Sequence, residues 1–167
     1  MTKTGNTCLL NNIYFTFTQP IENMDSLTIN KAKEIAEELD MGLRCFVHRE
    51  TLEAVFVPDM DKFSGFDSEV FDEDLKKIEN NTDAYFEIEQ PTSSDSFRIM
   101  SDFANSLDDN VDLKLKLIRA LNNSKPFREF KFLIDQSVSH RQAWFDFKSE
   151  RLILWVQERF RDEMNSR

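Results

Sequence analysis

From Thr28 to Leu39 apolar side chains return every three or four residues. Ile29, Ala32, Ile35, Ala36 and Leu39 stand opposite Lys33, Glu34, Glu37 and Glu38. That period predicts an amphipathic helix. Gly42 follows where a helix-ending residue with positive φ is wanted. The period then changes from 3.6 to 2. Leu43–His48 and Glu53–Val57 are β-prone runs around a polar centre, Arg49–Leu52, which predicts a hairpin. Pro58 ends it, because proline cannot donate to a ladder. After an acidic stretch with a turn at Ser64-Gly65, Val70, Phe71, Leu75 and Ile78 leave one apolar stripe, so a short helix is expected over Glu69–Asn80. AYFEIEQ, residues 84–90, alternates Phe86 and Ile88 against Tyr85, Glu87 and Glu89. It predicts a third strand, antiparallel to the hairpin and ended by Pro91.

Beyond Ser94 the pattern is helical throughout. Ser94 or Asp95 can cap a helix carrying Phe97, Met100, Phe103, Ala104 and Leu107 at spacings of three and four. Asp108, Asp109 and Asn110 interrupt it and offer the next cap. VDLKLKLIRAL fits two periods, since its leucines alternate with lysines but also follow helical spacing. Leu, Lys, Arg and Ala favour a helix over a strand, which decides for helix. Asn122-Asn123-Ser124 forms a linker and cap. Pro126 then sits at the first turn of a helix running to Gln136, with Phe127, Phe130, Leu133 and Ile134 on one face. Ser137–Ser139 break it, and the last helix runs from about His140 to Met164.

The fold expected is α+β: a small three-stranded antiparallel sheet with an N-terminal helix, followed by a C-terminal bundle of about four helices. Residues 29–167 read as one domain, with a sheet-containing half (29–90) and a helical half (94–164). Residues 1–28 read as an extension. Ile13, Phe15 and Phe17 alternate there as in a strand, but flanking Asn, Gln and Pro suit an unstructured leader. At 167 residues, 40% apolar, the chain can bury a substantial core. Its 16 phenylalanines make that core aromatic.

Certain order and residue strings carry a resemblance. SFRIMSDFANSLDD, then LIRALNNSKPFREFKFLI, then RQAWFDFKSERL resemble the C-terminal signature of uncharacterised protein family 0158. EIAEELDMGLRCFVHRETLEAVFVPD is similar to its opening, where a short helix leads into a hairpin. The likeness spans roughly residues 29 to 160, and KPFREFK with AWFDFK is its most distinctive part. Here the hairpin turn reads RETLE, where the family pattern leads one to expect a glycine after the threonine. The resemblance implies a small bacterial cytoplasmic α+β protein. The family has no established activity, so it carries over no catalytic residue.

Charge sharpens the picture. The net charge of −10 opposes whole-surface nucleic-acid binding. Its distribution is uneven: residues 53–112 hold 17 acids against 4 bases, whereas residues 125–167 hold 7 acids against 9 bases. The basic-aromatic stretch is therefore the candidate surface, with Lys125, Arg128, Lys131, Arg141, Trp144 and Lys148 as its binding residues. Interleaved cations and rings can track phosphates and stack bases. The plainer reading makes the rings core and pairs the cations with Glu129, Asp135, Asp146 and Glu150, Arg128 pinning the helix pair through a buried salt bridge. Arg and Trp are also enriched at protein-binding hot spots.

Catalytic and metal chemistry have little to stand on. His48 and His140 are far apart, without ligand-spaced cysteines, and three glycines build no phosphate loop. A calcium loop starting at Asp59 fails, because Phe63, Ser64 and Val70 occupy its fifth, sixth and twelfth positions. Glu87 and Glu89 share one strand face about 7 Å apart, a spacing that also keeps an exposed sheet soluble. No cofactor or metal is expected. Cys8 and Cys45 fit no disulfide or metal spacing, and Cys45 reads as a buried thiol. The N-terminus lacks the continuous apolar centre of a signal peptide, and no window reaches the ~18 apolar residues of a membrane span. A cytoplasmic binding or regulatory module acting on an unidentified protein partner is expected, with nucleic-acid binding as the alternative and an unrecognised hydrolase third.

Overall fold

A computed structural model describes residues 29–59, 68–109 and 112–166. Helix α1 (Ile29–Asp40) leads into strands β1 (Leu43–His48) and β2 (Ala54–Pro58). A 3-10 turn over Ser68–Phe71 and helix α2 (Asp72–Glu79) precede β3 (Tyr85–Ile88). Four helices follow: α3 (Ser93–Ser106), α4 (Asp112–Leu121), α5 (Pro126–Gln136) and α6 (Val138–Asn165). The fold is α+β, as the periodicity predicts.

The sheet has the order β2-β1-β3, antiparallel throughout. Cys45 lies opposite Phe56 on one side and Ile88 on the other; Val47 lies opposite Ala54 and Phe86. Side chains alternate across a strand, so these residues share one face. It packs on Ala32, Ile35, Ala36 and Leu39 of α1 and on Leu152, Val156 and Phe160 of α6. The opposite face carries Val55, Val57 and Tyr85 and is covered by Leu75 and Ile78 of α2. Tyr85 was expected on a polar face; α2 buries it instead, leaving 6% exposed. A second core lies between α3, α4 and α5, built on Met100, Phe103, Leu117, Phe130 and Ile134, with Trp144 and Phe147 of α6 against it.

Helix α6 joins the two cores. Its 28 residues extend about 42 Å at 1.5 Å per residue. Trp144, Lys148, Leu152, Val156 and Phe160 recur at intervals of four, so they form one stripe. The N-terminal end of that stripe packs on the helical core and the C-terminal end on the sheet. Lys148 stands at the seam.

Several boundaries differ from expectation, each for a local reason. Thr92, not Ser94 or Asp95, caps α3. Its Oγ1 accepts from the Asp95 backbone N–H at 3.2 Å, and the Asp95 carboxylate accepts from the Thr92 N–H at 3.1 Å. This capping box satisfies two helix-end donors reciprocally. Lys125, not Ser124, precedes α5, and no side chain caps it. Ser137 alone separates α5 from α6, so the last helix starts two residues earlier than expected. Ile29, at the first position of α1, is 71% exposed and lies outside the buried stripe. Gly42 takes φ 98° as required, and Leu52 takes φ 57° in the hairpin loop. The expected extension, the Asn110 cap and most of the rejected calcium loop lie outside the described residues.

A cleft at the seam of two cores as the candidate functional site

Where α6 crosses between the cores, a cleft of about 760 Å³ opens. One wall is the C-terminal end of α1, with Leu39, Asp40 and Gly42, and the Gln90-Pro91 link into α3. The others come from α3, α5 and the N-terminal half of α6. The sheet core and the helical core thus each supply walls. Such a volume matches pockets that hold organic ligands.

Four of the six residues singled out in the sequence meet here: Lys131, Arg141, Trp144 and Lys148. Lys125 and Arg128 do not. They lie on exposed positions of the chain around the start of α5, outside the cleft lining. Arg128 forms no ion pair with any described residue, so the buried salt bridge expected of it is absent. Its position on α5 is exposed.

Trp144 is half-buried. Its ring meets Phe130 at 4.8 Å and Phe103 at 5.2 Å between centroids, both edge-on. These contacts hold it as a wall rather than a free stacking platform. Phe127 and Phe145, expected to contribute to the core, remain 45% and 41% exposed in the cleft lining. The Arg141 guanidinium lies over Phe145 at 4.9 Å.

The cations of the cleft are partnered unequally. Lys148 pairs with Asp40, tying α6 to the end of α1. Arg141 Nε stands 3.5 Å from Asp135. Lys131 has no ion pair among the described residues. The remaining acids expected to neutralise the strip do other work: Glu129 accepts from Asn123 Nδ2 at 2.5 Å and Asp146 from Gln142 Nε2 at 2.8 Å. Glu150 forms no ion pair among the described residues. Asp40 lies 108 positions before Lys148, and no local pattern announces their meeting.

The other expected chemistry falls elsewhere. Glu87 pairs with Arg44 rather than standing free, while Glu89 accepts the Trp155 Nε1–H at its backbone carbonyl, 3.0 Å away. His140 Nδ1 lies 3.0 Å from the hydroxyls of Ser137 and Ser139, a helix-start cluster. His48 Nδ1 accepts from the backbone N–H groups of Glu50 and Thr51 inside the hairpin loop. Among the described residues, no three His, Cys, Asp or Glu side chains converge as a metal site would need. No described helix is long and apolar enough to cross a membrane.

A family model described as Uncharacterised protein family (UPF0158) matches residues 31–166, from the first turn of α1 to the residue after α6. The chain belongs to this family. No curated protein and no solved structure matches it. The match takes in both cores of this UPF0158 protein and every wall of the cleft.

Outside the cleft the UPF0158 chain presents a second concave surface. Lys116, Arg119 and Ala120 of α4 face Phe132 and Leu133 of α5 across a shallow groove of about 460 Å³. Phe132 is 60% exposed at its edge, and Leu115, one turn from Arg119, is 53% exposed.

Proposed function

We infer that the protein is a non-enzymatic binding or regulatory module acting through protein contacts, made by the outer face of α4 and α5. The observation that carries this reading is Phe132. A phenylalanine on a helix stabilises a fold by leaving water, yet this one stays largely exposed beside a groove. Burial of such a ring is worth about 1.5–3 kcal/mol, which a partner can recover. Arg119 lines the groove with Phe132 and Glu129, Arg128 stands one turn before that ring on α5, and neither arginine has an ion pair among the described residues, so the partner offers carboxylates. Two arginines beside an aromatic anchor match the composition of interface hot spots. A cytoplasmic location fits this reading, with Cys45 kept as a free thiol.

The test is affinity capture from the native host with the tagged protein, in nuclease-treated and untreated halves, alongside Phe132→Ser. A protein that survives nuclease and is lost with Phe132→Ser supports the reading. A captured set indifferent to Phe132→Ser sinks it.

One observation favours a second reading. Lys125, Arg128 and Lys131 recur at intervals of three, exposed and without ion pairs among the described residues. Such a row can follow a phosphate backbone. Binding would then vanish on nuclease treatment, weaken with Arg128→Ala and fall steeply with salt.

A further inference from the structure

The cleft at the seam is separate from the α4–α5 face, and its chemistry points to a different ligand. We propose that it binds a drug-sized amphipathic organic anion: an aromatic or aliphatic body with one carboxylate, sulfonate or phosphate head.

Its size comes first. A cleft of about 760 Å³ falls within the roughly 300–1,000 Å³ that such ligands occupy. It is far too large for an inorganic ion. Phe127 and Phe145 line it at 45% and 41% exposure, with Leu152 and Ile99 beside them. Those rings gain by being covered, which calls for an apolar body.

Charge selects the head group. Three cations line the cleft against two carboxylates, Asp40 and Asp135. In a chain of net charge −10, this local excess of positive charge is a reversal. Lys148 is engaged by Asp40. Lys131 is not engaged by any described residue. Arg141 touches Asp135 only at 3.5 Å, and its guanidinium donates no hydrogen bond to a described residue. Lys131 on α5 and Arg141 on α6 are therefore the groups left to receive an anion, and Arg141 already lies over Phe145, 4.9 Å from its ring centroid. Head group and body are recognised side by side.

The ligand also bridges the two cores, because the Asp40 wall belongs to the sheet side and the Lys131 wall to the helical side. Occupancy stabilises the fold by mass action.

The probes are anilinonaphthalene sulfonate, an aromatic sulfonate, and phenylnaphthylamine, its uncharged analogue. Both are titrated into the full chain and into the Lys131→Ala and Arg141→Ala double variant, whose substituted side chains are solvent-exposed. Circular dichroism and melting confirm that the variant folds. The expected result is saturable sulfonate binding at one site, displaced by decanoate and by decyl phosphate. The double variant weakens it about tenfold, the scale of one lost charge-assisted hydrogen bond. Phenylnaphthylamine changes less than about threefold. If decanoate alone or decyl phosphate alone displaces the probe, the proposal stands with its head group named. Displacement by decanol as effective as by either anion overturns it. So does equal weakening of both probes, unchanged sulfonate binding in the double variant, or binding at many unsaturable sites. A Phe145→Ala variant gives an independent check, since it should weaken both probes. Loss of the partner with Phe132→Ser would leave all of these results unaltered.

Discussion

Arg44 and Glu87 meet in a two-bond fork across the β1–β3 ladder, Nε donating to Oε1 and Nη2 to Oε2, each at 2.8 Å. The Arg44 guanidinium also lies 4.9 Å over the Phe46 ring. Bidentate geometry is the strong form of this pair, but both side chains keep 42% and 30% of their surface. Solvent screening then limits the coupling to about 0.5–1 kcal/mol. A double-mutant cycle of Arg44→Ala and Glu87→Ala by urea unfolding measures it. A coupling near zero would make the fork ornamental. Arg44→Lys should recover less than half, because a lysine cannot form the fork.

Leu52 closes the hairpin in the left-handed region, at φ 57°, where a non-glycine residue is disfavoured by about 1–2 kcal/mol. Its side chain is half-buried against the sheet core, which offsets that strain. The glycine expected at this position from the family resemblance would take such a backbone without strain. Leu52→Ala removes the packing and keeps the strain, so it should destabilise by about 1 kcal/mol. Leu52→Gly should be more stable than Leu52→Ala by a further ~1 kcal/mol. Chemical denaturation of the three proteins gives the ranking. An alanine variant more stable than the glycine one would contradict the assigned backbone.

Asp95 closes the capping box of α3. The Thr92 hydroxyl donates to its carboxylate at 2.6 Å, and that bond, ahead of the Thr92 backbone N–H and Arg98, holds its pKa below the ordinary value. A lowered pKa in the folded state contributes stability above the unfolded value, about 3.9, and loses it as pH falls through the folded one. Thr92→Ala should cost about 1 kcal/mol at neutral pH, as N-cap removal does. Below pH of about 3.9 the difference between Thr92→Ala and the parent should shrink. Melting across pH follows it, and a difference constant down to the acid transition would refute the box.

Cys45 lies at 0% exposure between α1 and the sheet, and burial pushes its thiol up to about 12. The sign of the linkage is opposite to that of Asp95. A raised thiol pKa contributes stability below the unfolded value, about 8.5, and stability declines as pH rises from there toward the folded one. In a Cys8→Ser background the folded protein should resist alkylation at neutral pH and react once unfolded. Adding Cys45→Ala should flatten the alkaline decline. Rapid labelling of the native protein would contradict the burial.

Element positions were legible because each rests on a local period. α1, α4 and α5 follow from apolar spacing, and the hairpin from two β-prone runs around a polar centre. Burial of Tyr85 was not legible, because period 2 says which side chains share a face and nothing about whether α2 returns to cover it. The capping box was missed for a smaller reason: Thr92, Ser94 and Asp95 all cap well, and only the backbone path chooses. For the candidate site, composition drew attention to the right forty residues but could not separate Lys131 and Arg141, which face the cleft, from Lys125 and Arg128, which do not. The Asp40–Lys148 pair depends on α6 crossing the end of α1, a tertiary fact with no local trace.

Phe130 and Phe132 sit two residues apart on α5, and their environments are opposite: 1% and 60% exposed. Phe130 meets Phe103 and Trp144 edge-on in the helical core. Phe130→Ala should therefore cost about 3–5 kcal/mol, the range for deleting a buried phenylalanine. Phe132→Ala should change stability by less than about 0.5 kcal/mol, as exposed substitutions do. Partner capture should reverse the order, with Phe132→Ala lost at unchanged stability. The two measurements together separate a packing role from a binding role. If Phe132→Ala destabilised the protein as Phe130→Ala does, the ring would be structural and the α4–α5 face would lose its claim as the contact surface.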